Sequence, residues 1–267
     1  MSLLPAYIRA LILDMDGVLW SENTPIGNLQ AVFESIVRRG LKVCLATNNA
    51  TRTPEQYLER LSEFGVKNLE LWQILTSPEA LAHELSKRFR DRGCIYTLGE
   101  TGLVQALTEA GFTVIDETNW DASRQMQAVV IGMDRNISYA KLRRAALLIQ
   151  KEVPFYATNP DKTFPTPEGL IPGAGALIAA LVTATGVEPL VVGKPARFLM
   201  DLARERMQTA PAETLVVGDR LETDIAGGQA AGCPVALVLS GVTSLEAAHS
   251  WMPAPDIIAP DLATLVG

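Results

Sequence analysis

Leu11-Ile12-Leu13-Asp14-Met15-Asp16-Gly17-Val18 is an apolar run that stops abruptly at two aspartates one residue apart. Carboxylates resist burial unless they are paired, hydrogen-bonded or bound to a metal. A buried strand that ends in two of them, with glycine directly behind, therefore asks for a chemical reason. Strand side chains alternate, so Asp14 and Asp16 point the same way and converge on one small volume. The pattern suggests a metal site, an acid/base pair or both, and equally fits a strand followed by a polar turn.

Outward from this run, strand-like and helical stretches alternate. Residues 8–13, 41–46, 189–192, 213–218 and 234–239 read as strands, and 28–39, 55–64, 196–207 and 222–231 as helices. The strands are short continuous apolar runs, such as Leu215-Val216-Val217 and Val235-Ala236-Leu237-Val238-Leu239. That is the mark of parallel strands covered by helices on both faces, so the fold class is α/β with a doubly wound, Rossmann-like sheet.

The middle of the chain repeats the alternation. Helices are expected at 79–92, 101–110, 138–151 and 173–185, with strands at 94–98, 127–132 and 153–157. Residues 158–172 hold four of the 16 prolines and read as an exposed loop. We read 79–187 as a smaller α/β domain inserted into a core made of 1–78 and 188–267.

Composition narrows the functions. Of 267 residues, 48% are hydrophobic and 20% charged, as in an ordinary globular protein with a well-buried core. A net charge of -7 argues against a nucleic-acid polymer as partner, which calls for basic clusters. No stretch approaches the roughly 20 apolar residues of a membrane span. The N-terminal region lacks a basic leader pattern, and Cys44, Cys94 and Cys233 are scattered and odd in number; reduced thiols in the cytoplasm are the economical expectation. With only His83 and His249 available, a histidine triad or multi-histidine metal site is a poor fit. The catalytic groups are left to carboxylates, lysine and hydroxyls.

Three more strand ends carry such groups, where α/β sheets place functional residues. Cys44-Leu45-Ala46 runs into Thr47-Asn48-Asn49; Val191-Val192-Gly193 into Lys194-Pro195; Val216-Val217-Gly218 into Asp219, with Asp224 one turn into the next helix. Each alone is usually a turn or a cap. Together, the carboxylates make a hard-cation site suited to Mg²⁺, and lysine, threonine and asparagine make a cradle for phosphate oxygens. One carboxylate can attack phosphorus while its neighbour moves protons. There is no GxxxxGK[ST] and no GxSxG, and Pro172-Gly173-Ala174-Gly175-Ala176 lacks the third glycine of a dinucleotide fingerprint.

In these four motifs and their order, the whole chain resembles the haloacid dehalogenase (HAD) superfamily. The middle domain, with Ala157-Thr158-Asn159-Pro160-Asp161 and Gly169-Leu170-Ile171-Pro172-Gly173-Ala174-Gly175, is similar to the type IIA cap of the p-nitrophenyl phosphatase, nucleotidase and phosphoglycolate/pyridoxal-phosphate phosphatase subgroup. The resemblance implies a Mg²⁺-dependent phosphatase acting on a small phosphomonoester. Asp14 would be nucleophile and metal ligand. Asp16 would be general acid/base and give the metal its backbone carbonyl. Thr47, Asn48, Asn49 and Lys194 would hold phosphate, with Lys194 also neutralising Asp14. Asp219 would complete the metal's ligands, and Asp224 would hold a metal-bound water or orient the loop. Asp16 sets the chain apart from dehalogenating members, which lack the second aspartate. The cap would close over the core and select the leaving group through the 159–165 loop, with Asn159, Asp161, Lys162 and Phe164 as specificity residues. The subgroup often pairs through its caps, so the resemblance allows a homodimer. The rival is a phosphate-accepting regulatory or binding protein without turnover; receiver domains use a similar Asp, Thr and Lys set, at about half this length and without a cap.

Overall fold

The computed structural model describes residues 3–166 and 168–267. The chain divides into two compact units: residues 1–47, 54–75 and 194–267, and residues 48–53 and 76–193. Each has its own sheet and its own apolar core.

The first unit is built on a six-stranded sheet with strand order 257–259, 235–238, 214–218, 10–13, 42–47 and 74–76. Ala10–Leu13 lies in the middle, parallel to Thr214–Gly218 on one side and to Lys42–Thr47 on the other. All four of its residues are buried, which explains why the run is apolar throughout rather than alternating. Strand order reverses at this central strand, so its carboxyl end is the crevice in which an open α/β sheet holds a ligand. Amphipathic helices supply the rest of the core. In Leu29–Arg38, capped by the Asn28 side chain on the Ala31 N–H, the buried face is Leu29, Val32, Phe33 and Ile36.

The second unit is a five-stranded sheet with order 190–191, 155–157, 126–131, 94–98 and 113–115, parallel at every pairing. Tyr96, Leu98, Val129, Ile131, Ala157, Ile178 and Leu181 form its core. The boundaries differ from those expected at 78/79 and 187/188. Leu190–Val191, expected in the core sheet, pairs instead with Tyr156 and Ala157, and the Gly193 N–H goes on to the Thr158 carbonyl. The 48–53 segment also joins this unit, since Ser77 Oγ and Asn159 Nδ2 both donate to the Asn48 carbonyl. A two-residue strand carries too little pattern to choose its sheet; the neighbour that satisfies its backbone chooses for it.

The expected proline-rich loop is in part an antiparallel hairpin, Thr163–Thr166 with Gly169–Pro172. A two-strand ribbon has no interior strand, so prolines there forfeit few ladder bonds. Pro167 lies outside the described residues. The strands Ile74–Thr76, Thr113–Ile115 and Ile257–Ala259 and the small hairpin Trp20–Ser21 with Thr24–Pro25 were not expected from the sequence. The helix expected at 222–231 begins with a π-helical turn, Leu221–Ile225, before Ala226–Ala230 continues as α-helix. No helix among the described residues is long and apolar enough to cross a membrane.

Candidate active site

Asp14 is the first residue past the central strand, and its N–H still bonds to the Val217 carbonyl. Strand alternation then sends Met15 into the core, fully buried, while Asp14 is partly buried and Asp16 exposed. Asp219 follows directly on the neighbouring strand Thr214–Gly218. Asp224 is brought back towards that strand end by the π-turn, in which the Ile225 N–H reaches the Arg220 carbonyl. The close approach demands glycine at 218, where a Cβ would stand 2.1 Å from that of Asp224. Carboxylate oxygens of Asp14, Asp219 and Asp224 lie within 4.8 Å of one another.

Lys194 is set among them. Its ammonium, on a side chain only 3% exposed, donates to Asp14 Oδ1 at 2.5 Å, Asp224 Oδ1 at 2.7 Å and the Ala46 carbonyl at 3.1 Å. These three bonds match the three N–H donors of an ammonium. Asp224 Oδ2 accepts from the Arg220 N–H, so both of its oxygens are engaged. Asp224 thus anchors the lysine, a task that the sequence reading had not given it. Asp219 Oδ2 accepts from the Val242 N–H, whereas its buried Oδ1 has no hydrogen-bond partner among the described residues.

One ammonium cannot neutralise three clustered carboxylates, two of them buried and the third partly so. Burial and the nearby Asp224 push the Asp14 carboxyl well above its ordinary range, with Lys194 pulling the other way. Burial and Asp224 likewise push Asp219 up to about 6, against the Val242 N–H, Arg220 and Lys194. Burial would lower Lys194, but Asp14 and Asp224 more than offset it and hold it firmly protonated. Surplus negative charge, all-oxygen donors and an orphaned Asp219 Oδ1 fit a hard divalent cation such as Mg²⁺.

This electrostatic surplus has a measurable sign. A carboxyl raised in the folded state holds its proton after the unfolded chain has released it, so stability falls as pH rises through that interval. For Asp219 the interval runs from about 4 to about 6. Metal-free protein is expected to lose thermal stability across it, and Mg²⁺ to restore the loss only above it. A thermal shift by Mg²⁺ as large at pH 5 as at pH 7.5 would contradict this account.

The remaining sequence-derived residues are distributed as follows. Thr47 is the buried last residue of the Lys42–Thr47 strand, in the same unit as Asp14. Asn48 and Asn49 belong to the second unit. Asn49 Oδ1 accepts from the N–H and hydroxyl of Thr51, a local turn. Asn159, read as a specificity residue, is buried and spends its side chain on the Asn48 carbonyl and the Asp161 N–H. Asp161 is partly buried beside Asn48 Nδ2 at 3.5 Å; Lys162 is exposed, and Phe164 lies half-buried in the hairpin opposite Ile171. Asp16 stands outside the carboxylate cluster and accepts at Oδ1 from Trp20 Nε1 at 2.8 Å. Trp20 escaped the sequence reading; a donor ring four residues past the second aspartate, after a tight glycine turn, was the signal available.

Family models described as haloacid dehalogenase-like hydrolase and HAD-hydrolase-like match residues 11–113 and 191–265. The chain is 34% identical over 238 residues to the 5'-nucleotidase YutF of Bacillus subtilis, covering 89% of this chain and 90% of that protein. It is 35% identical over 254 residues to phosphoglycolate phosphatase 2 of Arabidopsis thaliana, covering 89% and 84%. The crystal structure of the glycerol phosphate phosphatase Rv1692 from Mycobacterium tuberculosis in complex with magnesium matches with a TM-score of 0.88 at 33% identity, over 97% of this chain and 77% of that one. The motifs, the parallel-sheet architecture and these likenesses agree: the chain belongs to the haloacid dehalogenase-like hydrolase family, in its type IIA branch.

Proposed function

We propose that this phosphatase hydrolyses small phosphomonoesters with Mg²⁺, through an aspartyl-phosphate formed on Asp14. The observation that carries the reading is the cluster of Asp14, Asp219 and Asp224 around Lys194, with one buried Asp219 oxygen left without a partner. Asp14, Asp219 and the Asp16 carbonyl would hold the cation, which when bound supplies positive charge for the carboxylates and the phosphoryl oxygens.

Every other step falls to the chain. Lys194 holds Asp14 Oδ1, fixing the carboxylate so that Oδ2 attacks phosphorus in line with the departing oxygen. As that P–O bond breaks, Asp16 gives its proton to the leaving alkoxide. It then takes one from the water that attacks the aspartyl-phosphate, releasing inorganic phosphate and restoring Asp14. Thr47 and the Asn48 amide are assigned to the phosphoryl oxygens, and Asn49 to shaping the turn behind them. Leaving-group choice is assigned to Asp161, Lys162 and Phe164, since Asn159 is committed to the Asn48 carbonyl. The three cysteines form no disulfide, which supports a reducing, cytoplasmic setting.

A phosphate-release screen tests the reading, over nucleotides, sugar phosphates, phosphoglycolate, pyridoxal phosphate and glycerol phosphate. Sustained release with Mg²⁺, abolished by a chelator, is the expected result. Release of a single equivalent, or turnover indifferent to chelation, would overturn it.

A further inference from the structure

We propose that Trp20 is the positioning residue for Asp16, fixing which carboxyl oxygen carries the proton to the leaving group. The inference rests on the phosphatase reading above. Asp16 is exposed and lies on a loop, where packing constrains a carboxyl rotamer less than it does in the core. Its Oδ1 is instead held by the indole N–H at 2.8 Å. An indole N–H donates and cannot accept, so it tethers the carboxyl without competing for its proton. With Oδ1 committed, Oδ2 becomes the oxygen that delivers the proton as the P–O bond breaks and that later takes one from water.

The tether is stiff. Trp20 is fully buried, lies parallel to Tyr57 at 6.3 Å between ring centroids, and is tilted against Phe64 at 6.1 Å. The Arg60 guanidinium sits 4.5 Å from the indole centroid on its face and also donates to the Glu22 carbonyl in the adjoining turn. Main-chain bonds close the same loop, from the Gly17 N–H to the Trp20 carbonyl at 2.7 Å and from the Trp20 N–H to the Met15 carbonyl at 3.3 Å. A buried ring packed against Tyr57, Phe64 and Arg60 thus sets the direction of an exposed carboxyl. As Asp16 gives up its proton, the indole bond becomes charge-assisted and strengthens.

Leaving groups separate positioning from mere stability. Expulsion of p-nitrophenolate needs little protonation, whereas an alkoxide needs a proton. Trp20→Phe is therefore expected to lower kcat/KM for the best alkyl phosphate of the screen at least about tenfold more than for p-nitrophenyl phosphate. The same selective loss is expected when Trp20 is replaced by 3-benzothienylalanine, which keeps the ring shape and loses the N–H; this variant decides the matter if the phenylalanine variant does not fold. In an Asp16→Asn background neither replacement should add further selectivity. Equal losses on both substrates, no loss on either, or added selectivity without Asp16 would overturn the proposal while leaving the phosphatase reading intact. A wild-type protein inactive on both substrates would overturn the phosphatase reading, and the proposal with it.

Discussion

Lys194→Met is expected to destabilise the metal-free protein by about 3–5 kcal/mol near neutral pH, as when one partner of a buried ion pair is removed. The lysine is buried against Asp14 and Asp224, and methionine fills much of its volume without supplying charge. What remains is a set of three neighbouring carboxylates with no internal cation. They can escape only by taking up protons, so the deficit should grow as pH rises. The Lys194 ammonium is held protonated by its partners, so its own contribution is intact over the whole interval tested. Urea unfolding in the presence of a chelator, at pH 5 and at pH 8, measures both effects. A variant as stable as the wild type at pH 8 would show that Lys194 is not what neutralises the cluster.

Asp14→Asn is expected to do the reverse. Turnover should fall by at least about 10⁴-fold, since removing a nucleophile disables the whole catalytic unit at once. Stability without metal should not fall, because the substitution removes one of the crowded carboxylates, and Lys194 keeps Asp224 and the Ala46 carbonyl. The sign follows from Asp14 itself: its folded-state pKa is raised by burial and by Asp224, so its ionised form opposes folding as pH rises. Steady-state assays and the same urea titrations decide the point, with acid-quenched mass spectrometry to detect the phosphorylated aspartate in the wild type. Retained Mg²⁺-dependent turnover would sink the covalent mechanism. A large loss of stability would show that the cluster is held together by its charges rather than strained by them.

The two substitutions distinguish what sequence can carry from what it cannot. Asp14, Lys194, Asp219 and Asp224 were legible because each closes an apolar run or opens the helix behind it; one such strand end is usually a turn or a cap, but several in one sheet have few innocent explanations. The parallel sheet was legible for the same reason, in runs such as Leu215-Val216-Val217 that never alternate. Leu190–Val191 was misassigned because an edge strand of two residues is placed by its hydrogen-bond partner, not by its own pattern. The proline-rich segment was read as loop because proline's missing donor matters inside a sheet and matters little in a two-strand ribbon. Asp224 was found, but its duty as lysine anchor depends on a helical turn of unusual pitch that no periodicity announces. Trp20 was hidden by its type: an apolar ring in an apolar stretch gives no hint that its one polar atom matters.

That unusual pitch has a consequence for how this scaffold can change. An ordinary α-helical turn at 221–225 would bond more regularly, yet drawing the backbone in by one residue would rotate position 224 by about 100° around the axis. The more regular bonding of an α-helical turn would thus come at the expense of the buried Lys194–Asp224 ion pair. A single-residue insertion or deletion between Leu221 and Asp224 is therefore expected to turn Asp224 away from Lys194, even though the segment lies outside every strand of the sheet.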